Sequence, residues 1–227
     1  MPQTFVLSVG GSLIVKNDGI NIVWLKKFRQ FIKRETAKGN NFFLVVGGGY
    51  TARQYIKAAA DIVSVGETDC DWVGISASRL NARLVKTIFG ASAHPEIIID
   101  PTKKIKSRNK IIVAAGYKPG WSTDYVAVLL ARTNQIDKVI NLSNIDYVYD
   151  KDPGKYQDAK PLANVSWPKF RKIVGNVWRP GLNAPFDPIA SRMAAGRKME
   201  VVIMNGENLD NLSRYLQGKT FIGTTIK

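Results

Sequence analysis

The feature that most constrains this chain is a series of strand-length runs that are apolar at nearly every position. They are Phe5–Val9, Phe42–Val46, Ile97–Ile99, Ile111–Ala114, Val139–Leu142 and Val201–Met204. A strand with one wet face alternates polar and apolar residues, so runs without alternation belong to strands covered on both faces. Between them lie helix-length stretches, Ile22–Lys38, Thr51–Val63, Trp72–Phe89, Thr123–Thr133 and Asp187–Gly196. In the first of these Trp24, Leu25, Phe28, Phe31 and Ile32 recur at helical spacing. The pattern predicts a three-layer α/β/α sandwich around a mainly parallel central sheet. With 227 residues, 45% of them hydrophobic, and no repeat or low-complexity linker, the chain reads as one domain over 1–227. The turn-rich stretch Asp146–Pro168 predicts irregular loops or a small hairpin separating two halves of one sheet.

Charge is the unusual quantity. Lys and Arg total 33 against 18 Asp and Glu, a formal +15, which suits a chain that meets phosphate. Seventeen of the cations fall in 1–115 and sixteen in 116–227, so no basic tail carries the surplus. The densest cluster, Lys103, Lys104, Lys106, Arg108 and Lys110, reads as a solvated connection, and nucleic acid is not expected as a partner. A single cysteine, Cys70, excludes an internal disulfide and fits a reducing, cytoplasmic setting. No apolar stretch approaches membrane-spanning length, so no membrane association is expected.

Three strands run out into small, flexible residues at the edge where open α/β sheets place ligands. These are Gly10-Gly11-Ser12, Gly47-Gly48-Gly49, and Gly116 to Gly120 followed by Trp121-Ser122-Thr123-Asp124 before a helix. Glycine lets backbone N–H groups approach an anion, and a helix N-terminus adds a favourable field. One such loop is common for turn reasons alone; three on one edge predict a polyphosphate lying across it. Neither a P-loop motif nor G-x-G-x-x-G is present, which argues against a P-loop enzyme and a standard dinucleotide-binding fold.

The pairing of Val9-Gly10-Gly11-Ser12 with Val45-Val46-Gly47-Gly48-Gly49-Tyr50-Thr51-Ala52-Arg53 resembles the amino acid kinase superfamily. Three longer stretches, Asp71–Ala82, Pro119–Asp124 and Leu142–Pro153, resemble the archaeal type of uridylate kinase within it. The likeness continues through Phe186–Ala190 to Gly223–Ile226. It implies an amino acid kinase fold and transfer of the γ-phosphoryl group of ATP to UMP with Mg²⁺, in pyrimidine nucleotide synthesis. It also implies an acceptor-binding and oligomerising half over about 1–115, an ATP-binding half over about 116–227, and a homo-oligomer, commonly a hexamer. Carried onto this chain, Gly48 and Asp71 match acceptor positions, with Asp71 at the sugar, and Tyr117, Lys118, Pro119, Gly120, Trp121, Ser122 and Thr123 match the acceptor-phosphate loop. Gly11, Ser12, Gly49 and Arg53 match positions at the ATP phosphates. Ser143, Asn144, Tyr149 and Asp152 match those around its base and ribose. Asp124 and Arg53 carry the catalytic expectation, and no side-chain metal ligand is assigned.

Physical chemistry weighs each position separately. Arg53 follows the triple glycine by four residues, within reach of a phosphate held there, and its fork of donors suits phosphate oxygens. Asp124 and Asp71 are each placed to start a helix as caps, and Asp152 to shape a turn, so those readings stay open beside the nucleotide ones. Many members of the superfamily have lysine two residues before the first glycine; this chain has Ser8, and Arg53, Lys118 or Mg²⁺ is the expected replacement charge. No lysine lies near Asp187, and Arg192, one turn onward, is a weak substitute. Tyr117, Lys118 and Trp121 stand where smaller residues or His are common, which leaves room for another small phosphate monoester, such as isopentenyl phosphate, as acceptor. A non-catalytic nucleotide-binding or nucleic-acid-binding protein of this fold is the remaining alternative. The apolar face of Ile22–Lys38 suits either core or self-association, and Trp72, Trp121, Trp167 and Trp178 read mostly as packing residues.

Overall fold

The structure, a computed structural model, describes residues 2–177 and 184–227; Trp178 lies outside them. From the N-terminus run β1 (Thr4–Val9), α1 (Gly11–Ile14), β2 (Val15–Lys16), β3 (Gly19–Ile20), α2 (Ile22–Ala37), β4 (Asn41–Val46), α3 (Gly49–Ile62), α4 (Glu67–Phe89) and β5 (Ile111–Ala114). There follow α5 (Thr123–Thr133), β6 (Lys138–Ser143), β7 (Val148–Tyr149), β8 (Pro161–Leu162), β9 (Asn164–Val165), α6 (Trp167–Val174), α7 (Pro188–Gly196), β10 (Glu200–Asn205), α8 (Leu209–Leu216) and β11 (Thr224–Ile226).

Seven strands form one sheet in the order β5-β4-β1-β6-β10-β11-β9, parallel throughout except that β11 pairs antiparallel with β10. The long strands are buried on both faces, as their unbroken apolar runs require. Phe5, Leu7 and Val9 of β1 and Phe42, Leu44 and Val46 of β4 join a layer with Trp24, Phe28, Ile32, Val85, Phe89 and Leu212, from α2, α4 and α8. Val6, Phe43, Val45, Val139 and Val201 face the opposite layer, built by α5, α6 and α7. Within the first layer Trp24 stacks on Phe28 with ring centroids 4.6 Å apart. The apolar face of α2 is therefore core, because Trp24, Leu25, Phe28, Phe31 and Ile32 are all spent on the sheet.

Ile97–Ile99 does not extend the sheet as a strand. Ile98 alone docks on β5, donating its N–H to Val113 (2.8 Å) and accepting from Ala115 (3.1 Å). Pro95 and Pro101 flank the run, and a ring that fixes φ and removes an N–H donor favours a single bridge over a ladder at a sheet margin. The turn-rich segment does contain the expected hairpin, β7 with β8. It also holds β9 and the start of α6, but it does not separate the two halves of the sheet: it follows β6 in the chain and so belongs to the second half, with β9 at that half's outer edge.

Chain progression runs outward from β1 to β4 and β5, then returns to the other side of β1 at β6 and continues to β10. The order reverses between β1 and β6. Ligands in open parallel sheets occupy the crevice outside the carboxyl ends of strands at such a switch point.

Candidate active site at the carboxyl edge of the sheet

The glycine loops meet at that crevice. Gly10 donates to the Leu142 carbonyl at 2.9 Å, joining the end of β1 to the end of β6. A Cβ on Gly11 would collide with the backbone of Gly49, and Gly49 has φ +64°, so both positions exclude a side chain. Arg53, on the next turn of α3, brings Nη2 to 3.4 Å from the Ser12 hydroxyl and rests over the Tyr50 ring at 5.7 Å. Residues Gly11, Ser12, Gly49 and Arg53 thus form one cluster.

A second cluster surrounds Asp124 at the start of α5. The Ser122 hydroxyl caps this helix, accepting from the Tyr125 N–H at 3.1 Å, and Ser122 also donates to Asp187 Oδ2. Asp124 Oδ1 accepts from the Ser8 hydroxyl at 2.8 Å and from Asn141 Nδ2 at 2.9 Å, while its Oδ2 accepts a longer bond from the Asp187 N–H. Ser8 and Asn141 are register partners on adjacent strands and make a polar notch in an otherwise apolar sheet face. Burial, reinforced by the neighbouring Asp187 carboxylate and opposed by the Ser8 hydroxyl, pushes Asp124 up to about 7. Asp187 itself is buried and caps α7, accepting from the N–H groups of Ile189 (2.5 Å) and Ala190 (2.9 Å).

The 116–123 loop leads from the end of β5 into α5. Gly120, at φ +81°, donates its N–H to Asp71 Oδ2 at 2.6 Å. Lys118 Nζ sits 4.4 Å from the Trp121 ring centroid and 5.5 Å from that of Tyr117, and Trp121 meets Tyr117 and Tyr125 edge-on. The loop is thereby packed as an aromatic and cationic unit against α5.

The chain matches the amino acid kinase family model over residues 3–205. The chain belongs to the amino acid kinase family. It is 34% identical to the uridylate kinase of Methanobrevibacter smithii, over 97% of each chain, and 31% identical to that of Thermoplasma volcanium, over 100% of this chain and 99% of the other. Among solved structures, the uridylate kinase of Archaeoglobus fulgidus superposes with a TM-score of 0.83 at 32% identity, covering 98% and 99% of the two chains. A UMP kinase from Bacillus anthracis, 17% identical with a TM-score of 0.78, shares the amino acid kinase fold.

Within this family fold the sequence-predicted residues divide unevenly. Gly11, Ser12, Gly48, Gly49, Arg53, Asp71 and the 116–124 loop gather at the carboxyl edge of β1, β4 and β5. Ser143 ends β6 at the switch point, its hydroxyl accepting from the Ile145 N–H at 3.3 Å, with Asn144 exposed beside it. Tyr149 lies in the β7–β8 hairpin opposite Pro161, and the hydrogen bonds of Asp152 remain within its own turn, to Gly154, Lys155 and Tyr156. Arg192 is exposed. Asn141 and the capping and pairing role of Asp187 are additions made by the structure. The available signal for Asn141 was a lone amide interrupting Val139-Ile140 and Leu142 in a buried strand.

Among the described residues no group of three or more His, Cys, Asp or Glu could hold a metal by side chains alone. Asp124 and Asp187 nevertheless offer hard oxygen ligands, and Mg²⁺ is commonly held by one or two carboxylates together with substrate phosphates. The donor set fits Mg²⁺ on that footing. No helix among the described residues is long and apolar enough to cross a membrane.

Proposed function

We propose that this chain is a UMP kinase, transferring the γ-phosphoryl group of Mg·ATP to UMP to give UDP and ADP. The observation that carries this reading is end-to-end similarity to uridylate kinases, 34% identity over 97% of both chains, joined to three glycine loops on one sheet edge. The acceptor phosphate lies against Tyr117–Thr123, and Asp71, which lies in the second turn of α4 and does not cap it, reaches the acceptor sugar. Gly11, Ser12, Gly49 and Arg53 hold the ATP phosphates, while Ser143, Asn144, Tyr149 and Asp152 border its base and ribose. Residues 1–115 then serve mainly the acceptor and self-association, and 116–227 the ATP, within one domain.

Phosphoryl transfer asks the protein for in-line alignment and neutralisation of charge more than for covalent chemistry. Arg53 supplies a fixed cation beside the Ser12 hydroxyl, 3.4 Å away. Asp124 and Asp187 orient the other side and would hold Mg²⁺, which would supply further charge neutralisation. Ser8 and Asn141 hold the Asp124 carboxylate in place, so the position occupied by lysine in many family members here serves to aim a carboxylate. Lys118, stacked on Trp121, keeps its ammonium at the mouth of the acceptor loop.

The test is ADP release from Mg·ATP across a panel of acceptors: UMP, CMP, AMP, GMP and isopentenyl phosphate. UMP is expected to give the highest kcat/KM. Absence of ADP formation with UMP above the rate without acceptor refutes the reading, and preference for the isoprenoid phosphate reassigns the acceptor.

A further inference from the structure

Besides Asp71, helix α4 contributes three further side chains to the site that lie outside every glycine loop. The Ser78 hydroxyl donates to the Val46 carbonyl (2.7 Å) and accepts from the Gly116 N–H (2.8 Å), bridging the ends of β4 and β5. Asn81 Nδ2 donates to the carbonyls of Gly47 (2.9 Å) and Gly48 (3.0 Å). Arg79 donates from Nε to the Gly116 carbonyl (3.2 Å) and from Nη2 to the Tyr117 carbonyl (3.0 Å). Ser78 and Asn81 are fully buried and Arg79 partly so.

Arg79 has a directional consequence. A trans peptide places its C=O and the following N–H on opposite sides, and no cis peptide occurs among the described residues. Because the carbonyls of Gly116 and Tyr117 are drawn toward Arg79, the N–H groups of Tyr117 and Lys118 point away from α4. Neither has an acceptor among the described residues. Of the other positions in this stretch, the Gly116 N–H is taken by Ser78, Pro119 has none, and the Gly120 N–H is taken by Asp71. Two consecutive outward amides remain between two anchored ends, an arrangement suited to an anion.

We propose that Arg79 is a positioning residue that turns the Tyr117 and Lys118 amides toward the phosphate of the acceptor. The inference rests on the UMP kinase reading and adds to it how the acceptor phosphate is recognised. Without the guanidinium, either peptide is free to rotate and present a carbonyl oxygen, which repels phosphate. The arginine acts through the backbone and touches no reacting atom.

The experiment compares wild type with Arg79→Ala and Arg79→Lys, measuring KM for UMP, KM for ATP and the inhibition constant of uridine, which lacks the phosphate. Arg79→Ala is expected to raise KM for UMP about tenfold or more, the loss that accompanies one charge-assisted hydrogen-bonding group. KM for ATP and inhibition by uridine stay within about twofold, since neither depends on these two amides. Arg79→Lys, with one ammonium in place of a fork, gives an intermediate rise, and it carries the test alone if the alanine variant does not fold. Equal weakening of UMP, ATP and uridine would mean that Arg79 only holds the fold and overturns the proposal, as does an unchanged KM for UMP in both variants. A wild-type enzyme that turns over UMP while the variants match it sinks this inference alone; a wild type inert toward UMP removes the functional reading and the inference with it.

Discussion

Asp124 is a carboxylate held where burial favours its neutral form, and its energetics follow from that conflict. Its value of about 7 in the folded protein lies above the roughly 3.9 of an aspartate in an unfolded chain. Between those values the native state binds the extra proton, so Asp124 makes the protein less stable as pH rises from about 4 to about 7. Asp124→Asn removes this dependence. The variant is expected to be more stable than wild type at pH 8, on the order of 2 kcal/mol, and little changed near pH 4, as measured by urea denaturation at both pH values. Its kcat falls about 100-fold or more, the scale of losing a charge aimed at the reacting centre. Gain of stability with retained activity would show that Asp124 is not needed ionised. Ser8 opposes the burial effect by donating to the carboxylate at 2.8 Å. Ser8→Ala therefore moves the acidic limb of the kcat/KM profile to higher pH; an unshifted limb shows that this bond does not tune the group. Read from the sequence, Ser8 was a missing lysine. What it does became legible only through its register partner Asn141, because spacing along one strand says nothing about the neighbour across the sheet.

Elements were legible where their apolar faces are wide and unbroken. The parallel strands β1, β4, β5, β6 and β10 and the helices α2, α3, α4, α5 and α7 all coincide with runs or spacings visible in the chain. Those that escaped are held by polar or long-range contacts. Helix α8 is only eight residues long and is tied down by Asn211, which exchanges bonds with Ile222 at 2.6 and 2.7 Å. Strand β11 reads Thr-Thr-Ile, and its buried Thr224 links the Val148 N–H to the Leu162 carbonyl. The glycine loops, by contrast, announced their place at the carboxyl edge of the sheet. Gly11 admits no Cβ against Gly49, so Gly11→Ala forces two backbones apart and is expected to cost about 2 kcal/mol and to raise KM for ATP while disturbing the uridine site less. A stable variant with unchanged KM for ATP would show that the Gly11 and Gly49 loops need not touch. At the start of α7, Asp187→Ala removes a cap bonding two N–H groups and lowers stability by about 1 kcal/mol, read as a shift in the urea midpoint.

At the scale of the whole molecule the surplus charge and the exposed apolar residues bear on one question, self-association. The layer order was legible because helix-length segments separate fully apolar strands; which faces stay uncovered was not, because helical spacing looks the same toward a core and toward a partner. Helix α2 spends its apolar face on the sheet, whereas α3 buries only Ala52. Tyr55, Ile62 and Val63 are 67, 81 and 59% exposed, and on the adjacent α4 Trp72 and Leu80 are 46 and 63% exposed. Large apolar side chains left in water on two neighbouring helices favour an interface, and the proposed partner is a second copy of this chain. Each copy carries a formal +15, so association works against electrostatic repulsion that salt screens over about 10 Å at 0.1 M. The expected result is a mass above 25.2 kDa by light scattering at micromolar concentration, with the assembly tightening as salt rises from 0.05 to about 0.5 M. Changing Ile62→Asp together with Leu80→Asp returns the protein to 25.2 kDa with its circular dichroism unchanged, because neither side chain contributes to the core. A wild type that remains at 25.2 kDa throughout that salt range leaves these apolar residues without a self-partner and removes oligomerisation from the proposed function.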